Sequence, residues 1–360
     1  MPQIPTPPRR AATPGHATGS EHAIGETVLE INALHTDFVL DEGTVRAVAG
    51  VDLRLERGRT LGLVGESGCG KSVTARSVLQ IAGANAVISS GEILLHKPDG
   101  VLDLTRFAPG SEQIRGIRGN DIAMIFQEPM TAFAPIYTVG HQIAEALRCH
   151  RGHSKQAAWN EVLELLARVR IPDPRRAANS YPFELSGGML QRAMIAMALS
   201  CEPSVLIADE PTTALDVTVQ AQILELLCSI QQETGMAIMM ISHNMGVIAE
   251  MADVVAVMYV GRVVEQAAVW DLFERPRHPY TRALLAAVPM VTEQRRELLP
   301  IAGNVPNPLD APGGCSFHPR CEYAIADTCD KWEPGETEVG SGHRARCFLL
   351  EGPQEGREHD

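Results

Sequence analysis

Residues 61–72 read LGLVGESGCGKS and fit the phosphate-binding pattern G-x-x-x-x-G-K-S/T. The apolar start of this stretch favours a buried parallel strand that ends at Gly65. Gly65, Gly68 and Gly70 let the backbone turn tightly and aim its N–H groups at phosphate oxygens. Residues 72–79 then predict a helix whose positive N-terminal end faces the same anion. The stretch therefore predicts a binding site for a nucleoside triphosphate, and the flanking strand and helix disfavour a chance match.

Individual residues of this loop have distinct predicted roles. Lys71 supplies a mobile positive charge for the β- and γ-phosphates, and the hydroxyl of Ser72 can hold Mg²⁺. The predicted nucleotide contacts along the loop are Gly65, Glu66, Ser67, Gly68, Cys69, Gly70, Lys71, Ser72 and Val73.

The composition limits the classes of protein to which the chain can belong. Its 360 residues, 45% of them hydrophobic, can bury a large core, and no apolar run reaches the length of a membrane span. The net charge of −13 argues against broad nucleic-acid binding, which requires a basic surface. Residues 1–27 lack an apolar h-region and are rich in Pro, Ala, Thr and Gly, so we expect a disordered tail rather than a signal peptide. Eight cysteines without such a signal favour a reduced, cytoplasmic setting.

The order of the predicted elements indicates an α/β fold. Residues 28–32 and 45–55 predict antiparallel strands around a turn. Residues 204–208 and 237–241 predict buried strands that are joined by a helix, which indicates a parallel sheet with right-handed crossovers. Residues 130–200 carry apolar side chains at helical spacing and predict a largely helical insertion.

Four polar residues follow predicted buried strands. Asp209 and Glu210 end an apolar strand, where Asp209 can hold Mg²⁺ through water and Glu210 can orient and deprotonate the attacking water. Gln127 and His243 follow two other strands, at the edge where α/β sheets bind ligands. A lone Gln or His is usually structural, but beside a phosphate loop the set predicts a catalytic edge.

Two further features have both a functional and a plain structural interpretation. Ser186 is a good helix N-cap, and Gly187 and Gly188 expose N–H groups at the positive end of that helix. The same pattern also fits an ordinary turn and cap. Phe38 lies between the first two strands, where it could stack on a nucleotide base or belong to the core.

Together these residues resemble the ATP-binding subunit of an ABC transporter. The matching motifs are Walker A at Gly65–Ser72, the Q-loop at Gln127, the signature at Leu185–Met189, Walker B at Val205–Glu210, the D-loop at Ala214–Asp216 and the switch histidine at His243. Phe38 falls where the family places its adenine-stacking aromatic residue. Two departures are small: Met189 replaces the usual glutamine of the signature, and Asn244 stands where Asp is common.

The resemblance covers about residues 28–275 and implies a P-loop NTPase (RecA-like) core with an antiparallel β subdomain and the helical insertion. It implies catalytic roles for Lys71, Gln127, Glu210 and His243. It implies Mg²⁺ ligation by Ser72, Gln127 and Asp209, and nucleotide contacts that include Phe38, Gln127, Ser186, Gly187, Gly188, Asp209, Asp216 and His243. The implied cofactors of this ATPase are ATP and Mg²⁺.

The resemblance also implies an assembly. In this family the phosphate loop of one subunit and the signature of its partner enclose one ATP, so Ser186 and Gly188 would act on the partner's nucleotide. The implied partners are a second, identical or homologous ATPase subunit, two transmembrane permease subunits and an extracytoplasmic substrate-binding protein. The chain would then lie on the cytoplasmic face of the cell membrane, held there by the permeases. A soluble ABC-type ATPase of repair, translation or cofactor assembly is the alternative.

A narrower resemblance concerns the cargo. Residues 212–222, residues 278–285 (HPYTRALL) and the cysteine-bearing tail are similar to dipeptide and oligopeptide importer ATPases. That subfamily also serves nickel, glutathione and other small cargoes. Residues 276–350 are therefore interpreted as a small, irregular C-terminal extension of this type, followed by a tail at 351–360.

The extension carries four of the eight cysteines, with gaps of five, seven and seventeen residues: Cys315, Cys321, Cys329 and Cys347. The extension has few residues for a core, which suggests that a metal or cluster holds it together. Zinc sites usually include one tight C-x₂₋₄-C pair, which is lacking, whereas an all-thiolate set suits an iron–sulfur cluster. The resemblance implies a 4Fe–4S cluster. Zinc, unligated thiols, and ligation by His318 or His343 remain open from the sequence.

Overall fold

The computed structural model describes residues 24–213, 215–287, 301–306, 309 and 311–351. Most of the predicted N-terminal tail, the predicted tail after residue 351 and Ala214 of the D-loop lie outside the described residues. Thr27, the last residue of the predicted tail, already begins the first strand.

The chain alternates strands and helices, as its sequence pattern predicts. The described strands are β1 (Thr27–Leu40), β2 (Gly43–Glu56), β3 (Thr60–Val64), β4 (Ala86–Lys97), β5 (Gly100–Asp103), β6 (Ile122–Ile125), β7 (Val205–Asp209), β8 (Ala237–Ile241), β9 (Val254–Tyr259), β10 (Arg262–Ala268), β11 (Thr337–Gly340) and β12 (His343–Ala345). The described helices are α1 (Lys71–Val78), α2 (Glu112–Ile117), α3 (Pro129–Ala132), α4 (Val139–Arg151), α5 (Lys155–Arg168), α6 (Pro174–Asn179), α7 (Gly187–Leu199), α8 (Val217–Thr234), α9 (Met245–Met251), α10 (Val269–Glu274) and α11 (Pro279–Ala286).

A mixed sheet forms the centre of the molecule. Its described strands follow the order β11-β12-β10-β9-β3-β8-β7-β6, and β9, β3, β8, β7 and β6 are parallel. Every residue of β3, β7 and β8 is buried, which explains their unbroken apolar sequences. The predicted parallel sheet is confirmed. Because parallel strands end at one edge, the residues that follow β3, β6, β7 and β8 meet there.

Two cores lie on opposite faces of this sheet. Val205 and Ile207 of β7 belong to the core beneath a smaller antiparallel sheet, whose order is β2-β1-β4-β5. Leu206 and Ala208 belong to the core on the other face, with the helices. This alternation follows from the two-residue period of a strand. The predicted pairing of β1 with β2 around a tight turn is confirmed, since Leu40 pairs with Gly43.

The helical insertion comprises α3 to α7, and its prediction is confirmed. Most of its helices begin at a side chain that accepts a backbone N–H, such as Ser154 before α5 and Asp173 before the short α6. Buried residues of α4, α5 and α7 then pack in one core cluster with Ile125 at the end of β6. The insertion is therefore anchored directly beside the residues that follow β6.

The cysteine-bearing extension is more ordered than its sequence predicts. Its strand β12 pairs with β10 through Glu265 and Ala345, and β11 pairs with β12, so the extension lengthens the central sheet. His343 of β12 is buried, and its Nε2 lies 2.8 Å from a carboxylate oxygen of the fully buried Glu265. Strands of three and four residues carry too few alternations to be recognised from sequence. Among the helices that the structure describes, none combines the length and apolar character needed to cross a bilayer.

Candidate nucleotide site

A cavity of about 450 Å³ opens at the carboxyl edge of the parallel strands. Its lining includes residues from the loop after β3 and from the ends of three neighbouring strands: Ser67, Gly68, Gly70, Lys71, Ser72, Val73, Gln127, Glu210 and His243. The fold therefore brings the four predicted catalytic residues to a single cavity.

The loop after β3 needs its glycines for two different reasons. Gly65, Gly68 and Gly70 have φ of +150°, +79° and +102°, where side chains are strongly disfavoured. A Cβ atom on Gly65 would lie 2.3 Å from the carbonyl oxygen of Met258, and one on Gly70 would lie 2.5 Å from that of Ala47. At Gly68, by contrast, no described atom lies within 4 Å of the Cβ position. The loop is packed on both sides of Gly68 and open at Gly68, as a cradle for phosphate requires.

Lys71 lies folded over this loop. Its ammonium group donates hydrogen bonds of 2.9 Å to the carbonyl oxygens of Gly65 and Glu66 and is almost fully buried. Both acceptors are uncharged, and both lie within the loop that surrounds the cavity. A phosphate oxygen could therefore replace them and form a stronger, charge-assisted bond.

Ser72 and Asp209 bring oxygen atoms together of the kind that bind Mg²⁺. The Ser72 hydroxyl donates to Asp209 Oδ1 at 2.9 Å. Asp209 Oδ2 is buried and has no hydrogen-bond partner among the described residues, and the nearest ion-pair contact, Arg76, is 3.8 Å away. Burial raises the pKa of the Asp209 carboxyl, and the charge of Glu210 raises it further, against the opposing effects of Ser72 and Arg76. A divalent cation would satisfy this oxygen, so the residues fit the ion that the sequence implies.

Glu210 is held by three side chains. Its Oε1 lies 3.1 Å from His243 Nδ1, and its Oε2 accepts hydrogen bonds from Gln127 Nε2 at 3.0 Å and from Thr213 Oγ1 at 2.9 Å. Burial raises the pKa of the Glu210 carboxyl, but the hydrogen bonds from His243 and Thr213 and the charge of Lys71 outweigh burial and lower it overall. The group is therefore ionised at neutral pH and able to accept a proton. Gln127, predicted also as a Mg²⁺ ligand, contacts Glu210 in this structure rather than Asp209.

The backbone of Glu210 is strained. Its φ of +50° is unusual for a residue with a side chain, and its N–H donates to the carbonyl of Ile241 at 2.9 Å. Such strain persists where the surroundings fix the conformation, and it occurs often at functional sites. Thr213, which the sequence analysis did not single out, completes this turn by bonding the Glu210 carbonyl through its N–H at 3.2 Å. The only sequence signal for Thr213 is its position three residues after Glu210.

The signature and D-loop residues lie elsewhere. Ser186 caps α7 by accepting the N–H of Met189 at 3.4 Å, and Asp216 caps α8 by accepting the N–H of Val219 at 2.9 Å. A Cβ on Gly188 would lie 3.2 Å from the side chain of Val219, so the two helix starts are neighbours. Ser186, Gly187 and Asp216 are exposed, and none of the predicted signature and D-loop contacts lines the chain's own cavity.

Phe38 also lies outside the cavity lining. It is half-buried in β1, where it pairs with Val45 and Ala86, and its ring lies beside Gly83. Its assignment as the adenine-stacking residue therefore stays a prediction. Two residues of the C-terminal extension, Val305 and Pro306, do line the cavity, and nothing in their sequence pointed to this position.

The four cysteines of the extension converge on one small cavity that is separate from the nucleotide cavity. All are free thiols. Burial raises the pKa values of Cys315, Cys321 and Cys347, to about 11 for Cys347, and the neighbouring thiols contribute in the same direction. Among the described residues, however, no three His, Cys, Asp or Glu side chains are grouped so that they could hold a metal ion. The predicted metal binding is thus unsupported, since the thiols share a cavity without the close spacing of a single-ion site.

The two histidines that the sequence leaves open as alternative ligands have other partners. His343 Nε2 lies 2.8 Å from the Glu265 carboxylate, which also accepts the backbone N–H groups of Arg277 and His278. His318 Nδ1 lies 3.0 Å from the carbonyl oxygen of Cys315. His343 is therefore occupied by a structural contact with the central sheet, which disfavours it as an alternative ligand.

Comparison with protein families agrees with this geometry. Residues 48–213 match the family model described as ABC transporter, and residues 264–329 match the oligopeptide/dipeptide transporter C-terminal region. The dipeptide transport ATP-binding protein DppD of Bacillus subtilis is 48% identical over 325 residues, which span 90% of this chain and 95% of that protein. The oligopeptide transport ATP-binding protein AppD of the same organism is 46% identical over 333 residues, which span 92% and 99%. A probable peptide ABC transporter ATP-binding protein of Sinorhizobium fredii is 49% identical over 324 residues, which span 90% and 95%.

Solved structures show the same fold. The dimeric structure of MJ0796, a bacterial ABC transporter cassette, superposes with a TM-score of 0.58 at 26% identity and covers 67% of this chain and 98% of that one. The cbiO1 subunit of Clostridium perfringens, part of the transporter complex cbiONQ, superposes with a TM-score of 0.56 at 27% identity and covers 70% and 92%.

Proposed function

This chain belongs to the ATP-binding subunits of ABC transporters and is an ATPase, and we propose that it powers the import of dipeptides or oligopeptides. The match of residues 264–329 to the oligopeptide/dipeptide transporter C-terminal region supports this cargo, as do the names of the relatives. Nickel, glutathione or another small cargo is the alternative within the same class of transporter.

The proposed mechanism begins with phosphate binding by the loop after β3. Lys71 exchanges its two carbonyl acceptors for β- and γ-phosphate oxygens, and the open position at Gly68 admits the phosphate. Ser72 and Asp209 would hold Mg²⁺, which when bound neutralises charge on the phosphates. These residues bind and orient the nucleotide, and the catalytic edge beside them acts on the γ-phosphate.

Glu210 is proposed as the general base. It accepts the proton of a water molecule that attacks the γ-phosphate, while Gln127, Thr213 and His243 hold its carboxylate in position. The single observation that carries this proposal is the position of the ionised Glu210 carboxylate. It contacts three side chains and lines the same cavity as the phosphate loop.

The active unit is proposed to be a dimer in which each ATP contacts both subunits. Ser186 and Gly187 support this proposal because they lie at a helix N-terminus, which is suited to phosphate, yet they are exposed and do not line the chain's own cavity. They are therefore free to contact the nucleotide of a second subunit. Binding of ATP would favour the closed dimer, and hydrolysis would remove that preference.

Permease subunits are proposed to dock on the helical insertion. Several large apolar side chains are exposed in α3, in the segment between α3 and α4, and just before α7: Met130, Ile136, Tyr137, Tyr181 and Phe183. The start of α4 and the segment before α7 are joined by a hydrogen bond of 2.9 Å from the Val139 N–H to the Ser180 carbonyl. Grouped exposed apolar residues are typical of interaction sites. This docking would place the chain on the cytoplasmic face of the membrane, next to two permeases and, across the membrane, a substrate-binding protein.

Transport in a reconstituted system tests the function. The chain would be assembled in vesicles with its permeases and partner ATPase, and the substrate-binding protein would be added on the opposite side of the membrane. Uptake of a labelled dipeptide would then be followed with ATP on the side of the ATPase. We expect uptake that stops when Glu210→Gln replaces the wild type. ATP-driven uptake of nickel but of no peptide would select the alternative cargo. ATPase activity without any association with permeases would favour a non-transport ATPase.

A second, independent proposal concerns the extension, where we propose that the four cysteines bind a 4Fe–4S cluster. What supports it is the convergence of four free thiols on one cavity. Such a cluster binds each thiolate to a different iron atom, so its ligands stand farther apart than those of a single zinc ion. Among the described residues, no three His, Cys, Asp or Glu side chains are close enough to hold one metal ion, and this disfavours zinc more than it disfavours the cluster.

Metal and sulfide analysis tests the cluster. Protein purified without oxygen should be brown and contain about four iron atoms and four sulfides per chain. A Cys329→Ser variant should lose iron, whereas Cys149→Ser, an exposed cysteine of the insertion, should retain it. Colourless wild-type protein, with or without one zinc, would refute the cluster.

A further inference from the structure

A residue of the C-terminal extension bonds directly to the phosphate loop. The Arg320 guanidinium donates to both carboxylate oxygens of Glu66, from Nη1 to Oε2 at 2.6 Å and from Nη2 to Oε1 at 3.0 Å. The Arg320 side chain is only 3% exposed and the Glu66 side chain 25%. Glu66 belongs to the loop that cradles phosphate, whereas Arg320 follows it by 254 positions and lies next to Cys321.

Arg320 is fixed from several sides. Its Nε donates to the carbonyl of Ala302 at 2.8 Å, and its Nη1 lies 3.3 Å from the hydroxyl of Tyr259. Its guanidinium carbon lies 5.8 Å from the centre of the Tyr259 ring and 6.0 Å from that of Phe317, within range of cation–π attraction. The ion pair with Glu66 raises the pKa of Arg320 above its already high value, against burial. The arginine is therefore charged and held rigidly.

The backbone of Glu66 is held as well. Its N–H donates to the hydroxyl of Tyr280 at 2.8 Å, and Tyr280 is fully buried at the start of α11. The rings of Tyr259, Tyr280 and Phe317 pack against one another, with centroid separations of 4.6 to 5.3 Å. Both polar ends of one phosphate-loop residue are thus bound by groups that lie outside the phosphate-binding motif.

We propose that Arg320 is a positioning residue for ATP binding and that it acts through Glu66. The proposal rests on the loop being the ATP site. Arg320 neutralises a carboxylate that would otherwise stand unpaired in a loop that must receive a polyanion. Tyr280 fixes the peptide unit next to Gly65, whose carbonyl is one of the two acceptors of Lys71. The extension thereby sets the affinity of the loop for ATP, in addition to its contacts with the central sheet.

Neutralisation of Glu66 and a purely structural role for Arg320 predict different effects on ATP affinity. If Arg320 only fastens the extension to the core, its removal lowers stability, and removal of Glu66 as well cannot restore ATP affinity. If Arg320 neutralises Glu66, an unpaired carboxylate is the main cause of lost affinity, because removing one member of a buried ion pair leaves the other charge uncompensated. Removing that charge should then restore binding.

The test compares Arg320→Ala, Glu66→Gln, the double variant and a matched control in the full-length chain, by ATP affinity and by KM and kcat for hydrolysis. Arg344→Ala is the control, because Arg344 is a half-buried arginine of the same extension whose side chain is 42% exposed and pairs with Glu336 at 3.1 Å. We expect Arg320→Ala to raise the Kd and KM for ATP roughly tenfold with a smaller change in kcat. The double variant should return to within about threefold of the wild-type Kd, which reveals the coupling of the two sites. Arg344→Ala should behave as the wild type.

Two outcomes would overturn the proposal: an unchanged KM in a folded Arg320→Ala variant, or a double variant that binds ATP no better than Arg320→Ala. If Arg320→Ala does not fold, Arg320→Gln serves in its place, since it keeps an amide hydrogen-bond donor and loses the charge that neutralises Glu66. Its KM should then lie above that of the wild type, and a wild-type KM would count against the positioning role. Failure of the wild type itself to bind ATP would instead refute the phosphate-loop assignment, which keeps the two failures distinct.

Discussion

At the scale of single residues, the site separates two acids that follow one another in the chain. Asp209 is buried, has a raised pKa and retains one oxygen without a hydrogen-bond partner among the described residues. Glu210 accepts from three side chains and has a lowered pKa. The backbone reversal at Glu210, with its φ of +50°, turns the two carboxylates toward different partners. One acid is thereby suited to a cation and the other to a proton.

Replacement of Glu210 by Gln should nearly abolish ATP hydrolysis while ATP binding persists, because the amide keeps the shape and loses the base. ATP should then hold the dimer closed, which size-exclusion chromatography with and without ATP would detect. Glu250→Gln makes the same change on an exposed position of α9 and should retain full hydrolysis. A Glu210→Gln variant with near wild-type turnover would show that another group is the base.

Two glycines of the phosphate loop should respond differently to alanine. Gly70→Ala places a Cβ against the Ala47 carbonyl at 2.5 Å, so the backbone must shift and the melting temperature should fall markedly. Gly68→Ala meets no described atom within 4 Å and carries only the conformational cost of its positive φ, on the order of 1 kcal/mol. Calorimetry should therefore rank Gly70→Ala below Gly68→Ala in stability, while both lose ATP affinity. The reverse ranking would contradict this packing.

At the scale of elements, the N-terminal ends of helices α7 and α8 lie side by side on the surface. Ser186 and Asp216 cap them, and Gly188 lies against Val219, so the signature and the D-loop present a common surface. Both caps leave N–H groups of a first turn directed outward, where the helix dipole favours an anion. The phosphate loop of the same chain lies on a different surface from the signature. The two parts of an ATP site that uses both would therefore come from two different subunits.

Ser186→Arg should therefore separate binding from hydrolysis. Because Ser186 does not line the chain's own cavity, the ATP affinity of the isolated chain should be unchanged. Hydrolysis by the assembled transporter should fall strongly, because a bulky cation replaces the cap that faces the partner's nucleotide. Equilibrium binding to the isolated chain and steady-state hydrolysis by the complex measure the two quantities. A loss of affinity in the isolated chain would place the signature at its own ATP instead.

At the scale of the whole molecule, the extension is built into the ATPase body through buried polar contacts. His278 Nδ1 accepts the N–H of Tyr280 at 3.0 Å, and the fully buried Glu265 binds Arg277, His278 and His343. Burial, followed by the charge of Arg282, lowers the pKa of His278 from 6.5 to about 3. The folded protein therefore keeps this histidine neutral in the physiological range.

This histidine should make the protein acid-sensitive. The unfolded chain binds a proton below pH 6.5 whereas the folded chain does not until about pH 3, so stability is complete above pH 6.5 and declines as the pH falls. Between pH 7.5 and 5.5 the loss from this one group should be about 1 kcal/mol. His278→Asn keeps an acceptor and cannot be protonated, so its unfolding free energy should decline less over this interval. Denaturant unfolding at the two pH values measures the difference, and equal declines would exclude His278 as the cause.

The sequence predicts those features of the fold and of the site whose contacting residues are close together in the chain. The phosphate loop and the pair Asp209 and Glu210 are local patterns, in which strand, turn and side chain follow one another, and their convergence follows from parallel strands sharing an edge. Thr213 was missed because one hydroxyl carries no pattern. Arg320 was missed because its partner is 254 positions away and no periodicity links them. The four cysteines are close in sequence and line one cavity, but their sequence spacing carries no information on the distances between the thiols.

The bond between Arg320 and Glu66 has a consequence for the making of the protein. A ribosome adds roughly 5–20 residues per second, so Glu66 precedes Arg320 by about 10–50 s of translation. During that interval the nascent chain already contains its complete phosphate-binding motif and is exposed to cellular ATP, yet it lacks the arginine that offsets the glutamate. Under the positioning role proposed for Arg320, the growing polypeptide gains full affinity for nucleotide only after Arg320 has been synthesised.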